Sequence, residues 1–309
     1  MGKNLIEIAR RIKRRVRALY WEPYIKLLKK KYGENIVLFE ASVDYNGHQF
    51  KKSNWGDDLN YYFFNEYFCE KFVAIPFNRF IGKRYQHYLL IGSIITFFNL
   101  DNAIIYGSGI QYPTHGIKGT PNRIISVRGP KTREVLINNQ IDCPEAYGDP
   151  VLLLPIFYKP QISYRKGVAI IPNEGTLREH KDKVVLDIIS NHKCKLIDLR
   201  DYENWKDVVD VICSSELIIS ESLHGLIVAE TYGIPSVWVE FIEHPKDWDF
   251  KFLDFYESLK KNDQKSFHLY DADKFIEAVD IGRKWEKTDI DYNKMLDLLP
   301  FRRIENFVG

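Results

Sequence analysis

The sequence predicts an α/β protein made of two open, parallel-sheet halves with a cleft between them. Three observations carry that prediction. Short runs of β-branched and other apolar residues alternate with helical patterns, as expected of strands buried on both faces of a parallel sheet. The alternation breaks across residues 155–166, where Pro155, Pro160 and polar residues intervene, and then starts again. With 309 residues the chain is long enough for two domains of ordinary size. Ligands of open α/β sheets sit beyond the carboxyl ends of the strands, so the loops there are where chemistry is expected.

The first segment, residues 1–32, is expected to be a basic amphipathic helix. Between Met1 and Lys31 eleven Lys and Arg face two Glu, a net charge of +9 that leaves −7 for the remainder. Leu5, Ile8, Ile12, Val16 and Leu19 recur at spacings of three and four, which puts them on one face with arginines around the rest. Such a helix suits the interface of an anionic membrane, where each basic residue contributes on the order of 1 kcal/mol. It equally suits packing on the fold with a solvated cationic face. Nucleic acid is not expected as a partner, because the acidic remainder offers no extended basic groove and no nucleic-acid motif.

The first Rossmann-like half is placed at residues 33–160. Residues 35–40 read as a buried strand, followed by a polar loop through Asp44, Asn46 and Gly47. The turn at Asn54, Gly56 and Asp57 opens an aromatic helical run over residues 59–68. Further strands are expected at 88–95, at 103–106 ahead of Gly107 and Gly109, and at 124–127 ahead of Arg128, with a helix over 131–138. The second half, 161–285, repeats the scheme with strands at 167–171, 194–199, 217–220 and 236–239. Helices are expected at 183–190, 205–214 and 226–232, the last ended by Gly233. Residues 286–309 read as a C-terminal helix.

Composition bounds the rest. Hydrophobic residues make up 45% and charged residues 28%, which excludes a disordered, collagenous or coiled-coil chain. The four cysteines are scattered without CxxC spacing and no residues have metal-ligand spacing, so reduced thiols and no metal are expected. Aromatic residues at 14% are enough to line grooves for sugar-like ligands as well as to fill cores. No run approaches the roughly 20 apolar residues that cross a bilayer, and arginines interrupt the first thirty residues. The expected location is therefore cytoplasmic, with peripheral attachment to the inner face of the membrane where the basic helix docks.

The sharpest local feature is the segment 219–235, with Ser220, Ser222, His224 and Gly225 between a strand and a helix. Unpaired amides and the positive dipole end make such a helix start an anion site. Ser220 and Ser222 can add hydrogen bonds, and His224 can donate to a phosphate or act as an acid near neutral pH. The plainer alternative is a serine cap with a locally satisfied histidine.

This segment resembles the C-terminal signature of the polysaccharide pyruvyl transferases. Asn54-Trp55-Gly56-Asp57 is similar to that family's Asn-x-Gly-Asp motif. The segment 126–133, with Arg128-Gly129-Pro130, resembles its central motif, and Gly148-Asp149-Pro150 with Leu153-Leu154-Pro155 the stretch before its hinge. The matches keep their order over residues 54–235. Two positions depart from the pattern: Ser222 stands where many members have Arg, and Asn173 where many have His.

The resemblance implies a GT-B-like fold and transfer of a pyruvyl group from phosphoenolpyruvate, as donor substrate and without a cofactor, to two hydroxyls of a sugar. The acceptor implied is a saccharide of a cell-surface polysaccharide or its lipid-linked precursor. His224 is then the candidate acid and Asp57 or Asp149 the candidate base, each Asp having turn or capping chemistry as its alternative. Arg128, Ser220, Ser222, Gly225 and Asn173 become candidate donor-binding residues, and Asn54, Gly56, Gly107 and Gly109 an acceptor-side loop. Two other readings stay open: a glycosyltransferase of the same architecture using a nucleotide sugar, and a non-catalytic, membrane-docked assembly factor.

Overall fold

A computed structural model describes residues 16, 19–75, 79–178 and 183–304. Helix α1 (19–32) leads into β1 (Ile36–Phe39), the hairpin β2 (Asp44–Asn46) and β3 (Gln49–Lys51), and α2 (Trp55–Tyr67). Next come β4 (Lys71–Ala74), α3 (Arg79–Gly82), β5 (His87–Leu89), β6 (Ala103–Tyr106), β7 (Arg123–Ser126), α4 (Pro130–Asn138) and α5 (Leu154–Phe157). Then follow β8 (Val168–Ile171), α6 (Glu174–Arg178), α7 (Lys183–His192), β9 (Lys195–Leu196), α8 (Trp205–Cys213), β10 (Leu217–Ser220), α9 (Leu223–Tyr232) and β11 (Ser236–Glu240). The chain closes with α10 (Phe250–Ser258), β12 (Phe267–His268), α11 (Phe275–Arg283) and α12 (Tyr292–Asp297).

Two five-stranded sheets result, in the orders β4-β1-β5-β6-β7 and β9-β8-β10-β11-β12, with every neighbouring pair parallel. Counted within its own sheet, each runs 2-1-3-4-5, the doubly wound order whose switch points here are β1/β5 and β8/β10. The apolar runs account for the central strands: β6 and β10 are buried at every residue. Helix α8 turns Trp205, Val208, Val209 and Ile212 inward behind a capping box of Asn204 and Asp207. Helix α9 is buried nearly all round, and Gly233 closes it in the left-handed conformation at φ 68°.

One core runs through both halves, joining Phe63, Phe64 and Phe157 to Trp205, Ile212, Leu226 and Trp238. Trp55 at the start of α2 donates from its backbone to Leu199 O (2.8 Å) and from its indole to Trp205 O (2.8 Å). The C-terminal stretch crosses the same seam. The Tyr292 hydroxyl lies 3.0 Å from Thr231 Oγ1, Tyr106 donates to Met295 O, and Phe301 enters a cluster with Phe64, Phe68 and Phe72.

The structure corrects several expectations. The strand foreseen at 88–95 stops at Leu89, because Gly92 at φ 121° turns the chain into a loop. The strand foreseen at 194–199 is two residues long, the polar loop after β1 is a hairpin, and β4 and β12 were not foreseen. Among the described residues of the C-terminal segment only Tyr292–Asp297 is helical. Of the basic segment, Leu5, Ile8 and Ile12 lie outside the described residues. Val16 and Leu19 are exposed at 59% and 70%, so they do not form the packed face. Trp21, Ile25 and Leu28 bury instead, against Leu38, Val73, Ile75 and Ile81.

Candidate active site

Loops from the carboxyl ends of both sheets enclose a cavity of about 370 Å³. The first sheet supplies Ser42, Asn54 and Asp57 after β1 and Ser93, Ile94 and Phe97 after β5. The second supplies Asn173 and Glu174 after β8, Ser222 and His224 after β10, and Trp248 and Lys251 after β11. Both switch points thus open onto one space, as doubly wound sheets lead one to expect.

At the cavity the two halves touch through His224 and Gly56. A β-carbon at Gly56 would lie 1.8 Å from His224 Nδ1, so only glycine admits the imidazole against the first turn of α2. His224 Nε2 is buried, has no hydrogen-bond partner among the described residues, and belongs to the cavity wall. Burial, followed by the Lys251 and Arg128 charges, depresses its pKa to about 3, so the ring is neutral in the ligand-free protein. Asp57 has the opposite fate. Burial, with the charges of Asp58 and Glu174, pushes its carboxyl up to about 8 against the opposing pull of Lys251. A protonated carboxyl and a neutral imidazole therefore share the cavity near pH 7.

Lys251, in the first turn of α10, completes the set. It is 7% exposed, makes no ion pair among the described residues, and lies 3.6 Å from the centre of the Trp248 indole. Burial and the Arg128 charge lower its pKa to about 7. The sequence reading missed it, and its one signal was a cationic residue just past the last long strand. Glu221 was also missed, although it organises three loops. It accepts from Asn173 N (3.0 Å), Thr176 Oγ1 (2.7 Å) and Phe241 N (3.0 Å), and lies 2.7 Å from His244 Nε2. Burial raises its pKa, yet these bonds outweigh burial and leave the carboxylate below its ordinary range. His244 stacks on Trp248 at 3.9 Å.

Ser222 caps α9 without a side-chain hydrogen bond, leaving the amides of that helix start beside the cavity. Asn173 accepts from Gly175 N, and Asn54 caps α2 by accepting from Gly56 N and donates to Glu174 Oε2 across the seam. These three residues line the same cavity.

Others do not reach it. Arg128 is fully buried, donating to Asp254 Oδ2 (3.0 Å), Ile110 O (2.8 Å) and Ser93 Oγ. The expected donor-binding fork is spent behind the wall, where it sets the position of Ser93. Asp149 is equally buried and caps a short turn by accepting from Val151 N (3.1 Å), while burial lifts its pKa to about 6. Its capping alternative holds. Ser220 Oγ bonds Ser222 N and O, shaping the loop beneath the cavity, and Gly225 makes room for Ile171 and Ser220. The glycines of the expected acceptor loop serve other neighbours. Gly109 admits the Arg128 guanidinium, 2.3 Å from where a β-carbon would be, and Gly107 at φ 78° lies under Pro150. No group of three or more His, Cys, Asp or Glu among the described residues is placed to hold a metal.

The family model for polysaccharide pyruvyl transferases matches residues 18–241, a span that contains every residue lining this cavity except Trp248 and Lys251. The chain belongs to the polysaccharide pyruvyl transferase family. The chain is also similar to an uncharacterised protein of Acanthamoeba polyphaga mimivirus, 30% identical over 160 residues. That match covers 50% of this chain and 53% of that protein, so this pyruvyl transferase family member spans about half the length of that relative. Among solved structures, a functionally uncharacterised protein from Klebsiella pneumoniae subsp. pneumoniae NTUH-K2044 is 16% identical with a TM-score of 0.40, over 80% of this chain and 97% of that one.

Proposed function

We propose that this protein transfers the pyruvyl group of phosphoenolpyruvate to two hydroxyls of a saccharide, forming a cyclic ketal and releasing phosphate. The observation that carries the reading is that Asp57 and His224, one from each half, line one cavity together with the buried Lys251, which makes no ion pair among the described residues. The same reading takes the two sheets as a GT-B-like pair divided near residue 160, supported by their carboxyl ends facing one cavity. No cofactor is needed for it.

Phosphoenolpyruvate brings a phosphate and a carboxylate. The α9 amides, Ser222, Asn173 and the Lys251 ammonium are the donors available to them. Its arrival raises the Lys251 pKa, because an anion at a buried amine favours the charged form. The protonated Asp57 then gives its proton to C3 while a sugar hydroxyl adds to C2, and neutral His224 takes the hydroxyl proton. The bond between C2 and the bridging phosphate oxygen then breaks, leaving an oxocarbenium-like C2, and the departing phosphate takes that proton from His224. The second hydroxyl closes the ketal, and its proton restores the Asp57 carboxyl. His224 is thus the base and Asp57 the acid, the reverse of the roles the family resemblance implied.

The test is calorimetric titration with phosphoenolpyruvate, beside a panel of nucleotide sugars, on wild type, His224→Ala and Lys251→Met. Saturable phosphoenolpyruvate binding, weakened at least about tenfold in Lys251→Met, is expected. Binding of a nucleotide sugar in its place would reject the donor.

A lipid-linked acceptor at an anionic membrane surface belongs to the same reading. It is supported by the outer face of α1, where Leu19, Tyr20 and Leu27 are 53–70% exposed opposite the buried Trp21 and Ile25, with Lys26, Lys30 and Lys31 alongside. Cosedimentation with phosphatidylglycerol vesicles, lost in Leu19→Glu/Leu27→Glu and absent with neutral vesicles, is the expected result.

A further inference from the structure

A second cavity, of about 390 Å³, lies along the β2–β3 hairpin, whose two ends carry the Ser42 and Asn54 that border the first cavity. Its walls are aromatic. Tyr24 comes from α1, Tyr45, His48 and Phe50 from the hairpin, and Tyr61 from α2, over a floor made by edge strand β4. The rings brace one another. His48 stacks between Tyr20 and Tyr24 with centroids 4.1 Å from each, and Phe50 lies face to face with Tyr61 at 4.4 Å. A cavity walled by rings already fixed in place takes a ligand without the entropy cost of ordering them.

The polar groups narrow the ligand class. Among the described residues Lys71 is the one Lys, Arg, Asp or Glu on the wall, with Nζ 5.7 Å from the Tyr61 ring centre, and Gln49 is exposed at the rim. No carboxylate among the described residues borders the space. Ring faces edged with hydroxyl, amide and ammonium groups match a ligand that is apolar on its faces and rich in hydroxyls at its edges. An added protein strand is disfavoured, because Asn65 already holds Phe72 N (3.1 Å) and Phe72 O (2.9 Å) on the edge strand. Three-residue strands span on the order of 10 Å, a separation that a chain of sugars bridges and one sugar ring does not.

We infer that this aromatic cavity is a second saccharide subsite, holding units that flank the reacting sugar, so that the acceptor is an oligomer or polymer. The inference rests on the reading that the first cavity takes a saccharide acceptor.

The test screens the full chain on an array of immobilised oligosaccharides with their monosaccharides, and titrates phosphoenolpyruvate in parallel. Expected are oligosaccharides retained about tenfold or more tightly than the matching monosaccharides. Gln49→Trp, which fills the rim, and Phe50→Ala, which removes one wall, should both lose that gain while phosphoenolpyruvate binding and the melting temperature hold. Gln49 is exposed, so its variant stays informative where Phe50→Ala fails to fold. A length dependence that survives both variants would overturn the subsite, as would retention of no oligosaccharide by protein that binds phosphoenolpyruvate. A length gain that the variants abolish, in protein blind to phosphoenolpyruvate, would keep the subsite and reject the donor.

Discussion

At the scale of single residues, Gly56 shows how little room the two halves leave each other. Gly56→Ala puts a methyl group 1.8 Å from the His224 ring, and one of them must move. Since a displacement of about 1 Å at a catalytic group can cost on the order of a hundredfold in rate, turnover of Gly56→Ala should fall by at least that much in a steady-state assay. The pH dependence of stability tests the charges. The Asp57 pKa is raised from 3.8 to about 8, so between those values the native chain keeps a proton that the unfolded chain has lost, and stability falls as pH rises. Lys251, lowered from 10.5 to about 7, acts oppositely. The unfolded chain holds the extra proton between those values, and stability rises with pH. Calorimetric melting from about pH 5 to about pH 10 should show Asp57→Asn without the fall below pH 8 and Lys251→Met without the rise above pH 7. Sequence located the loops that carry Asn54, Asp57, Asn173, Ser222 and His224, because Gly, Asn and Ser at strand ends mark such turns. It could not tell which way a side chain points. Arg128 and Asp149 occupy similar loops, yet Arg128 turns inward to Asp254, 126 residues away, and Asp149 caps its own turn.

At the scale of elements, α4 has its start capped by another half of the molecule. Gly129 offers no side-chain cap, and Asp254 on α10 instead accepts from Thr132 N (2.8 Å) and Thr132 Oγ1 (2.7 Å) while pairing with Arg128. Removing one partner of a buried pair costs about 3–5 kcal/mol, so Asp254→Ala should lose roughly that in denaturant unfolding. Arg128→Met/Asp254→Leu, which leaves no lone charge, should recover part of it. Element type was legible wherever the hydrophobic pattern was strong, as in β10, α8 and α9. The short pieces were not. Strands β9 and β12 have two residues each and the hairpin strands three, with polar residues facing out, so their pairing partners rather than their own composition define them.

At the scale of the whole molecule, the halves are bound by a shared core and by the stretch from Tyr292 to Arg303. Phe301 is 7% exposed among Phe64, Phe68, Phe72 and Tyr88, and truncation of such a ring costs about 3–5 kcal/mol. Phe301→Ala should lower the melting midpoint of both halves together in a single transition, as a continuous core requires. The division into two sheets was readable from the break and restart of the α/β pattern. The return of the C-terminal stretch was not, since residues 301 and 72 meet only because both flank the same edge of the first sheet. That return sets a timetable for synthesis. The core around α2 is translated early, yet Phe301 fills it and Cys69 N bonds Arg302 O (2.8 Å) only after more than two hundred further residues have left the ribosome. Until then a nascent chain presents the Phe64, Phe68 and Phe72 rings to solvent or to a chaperone.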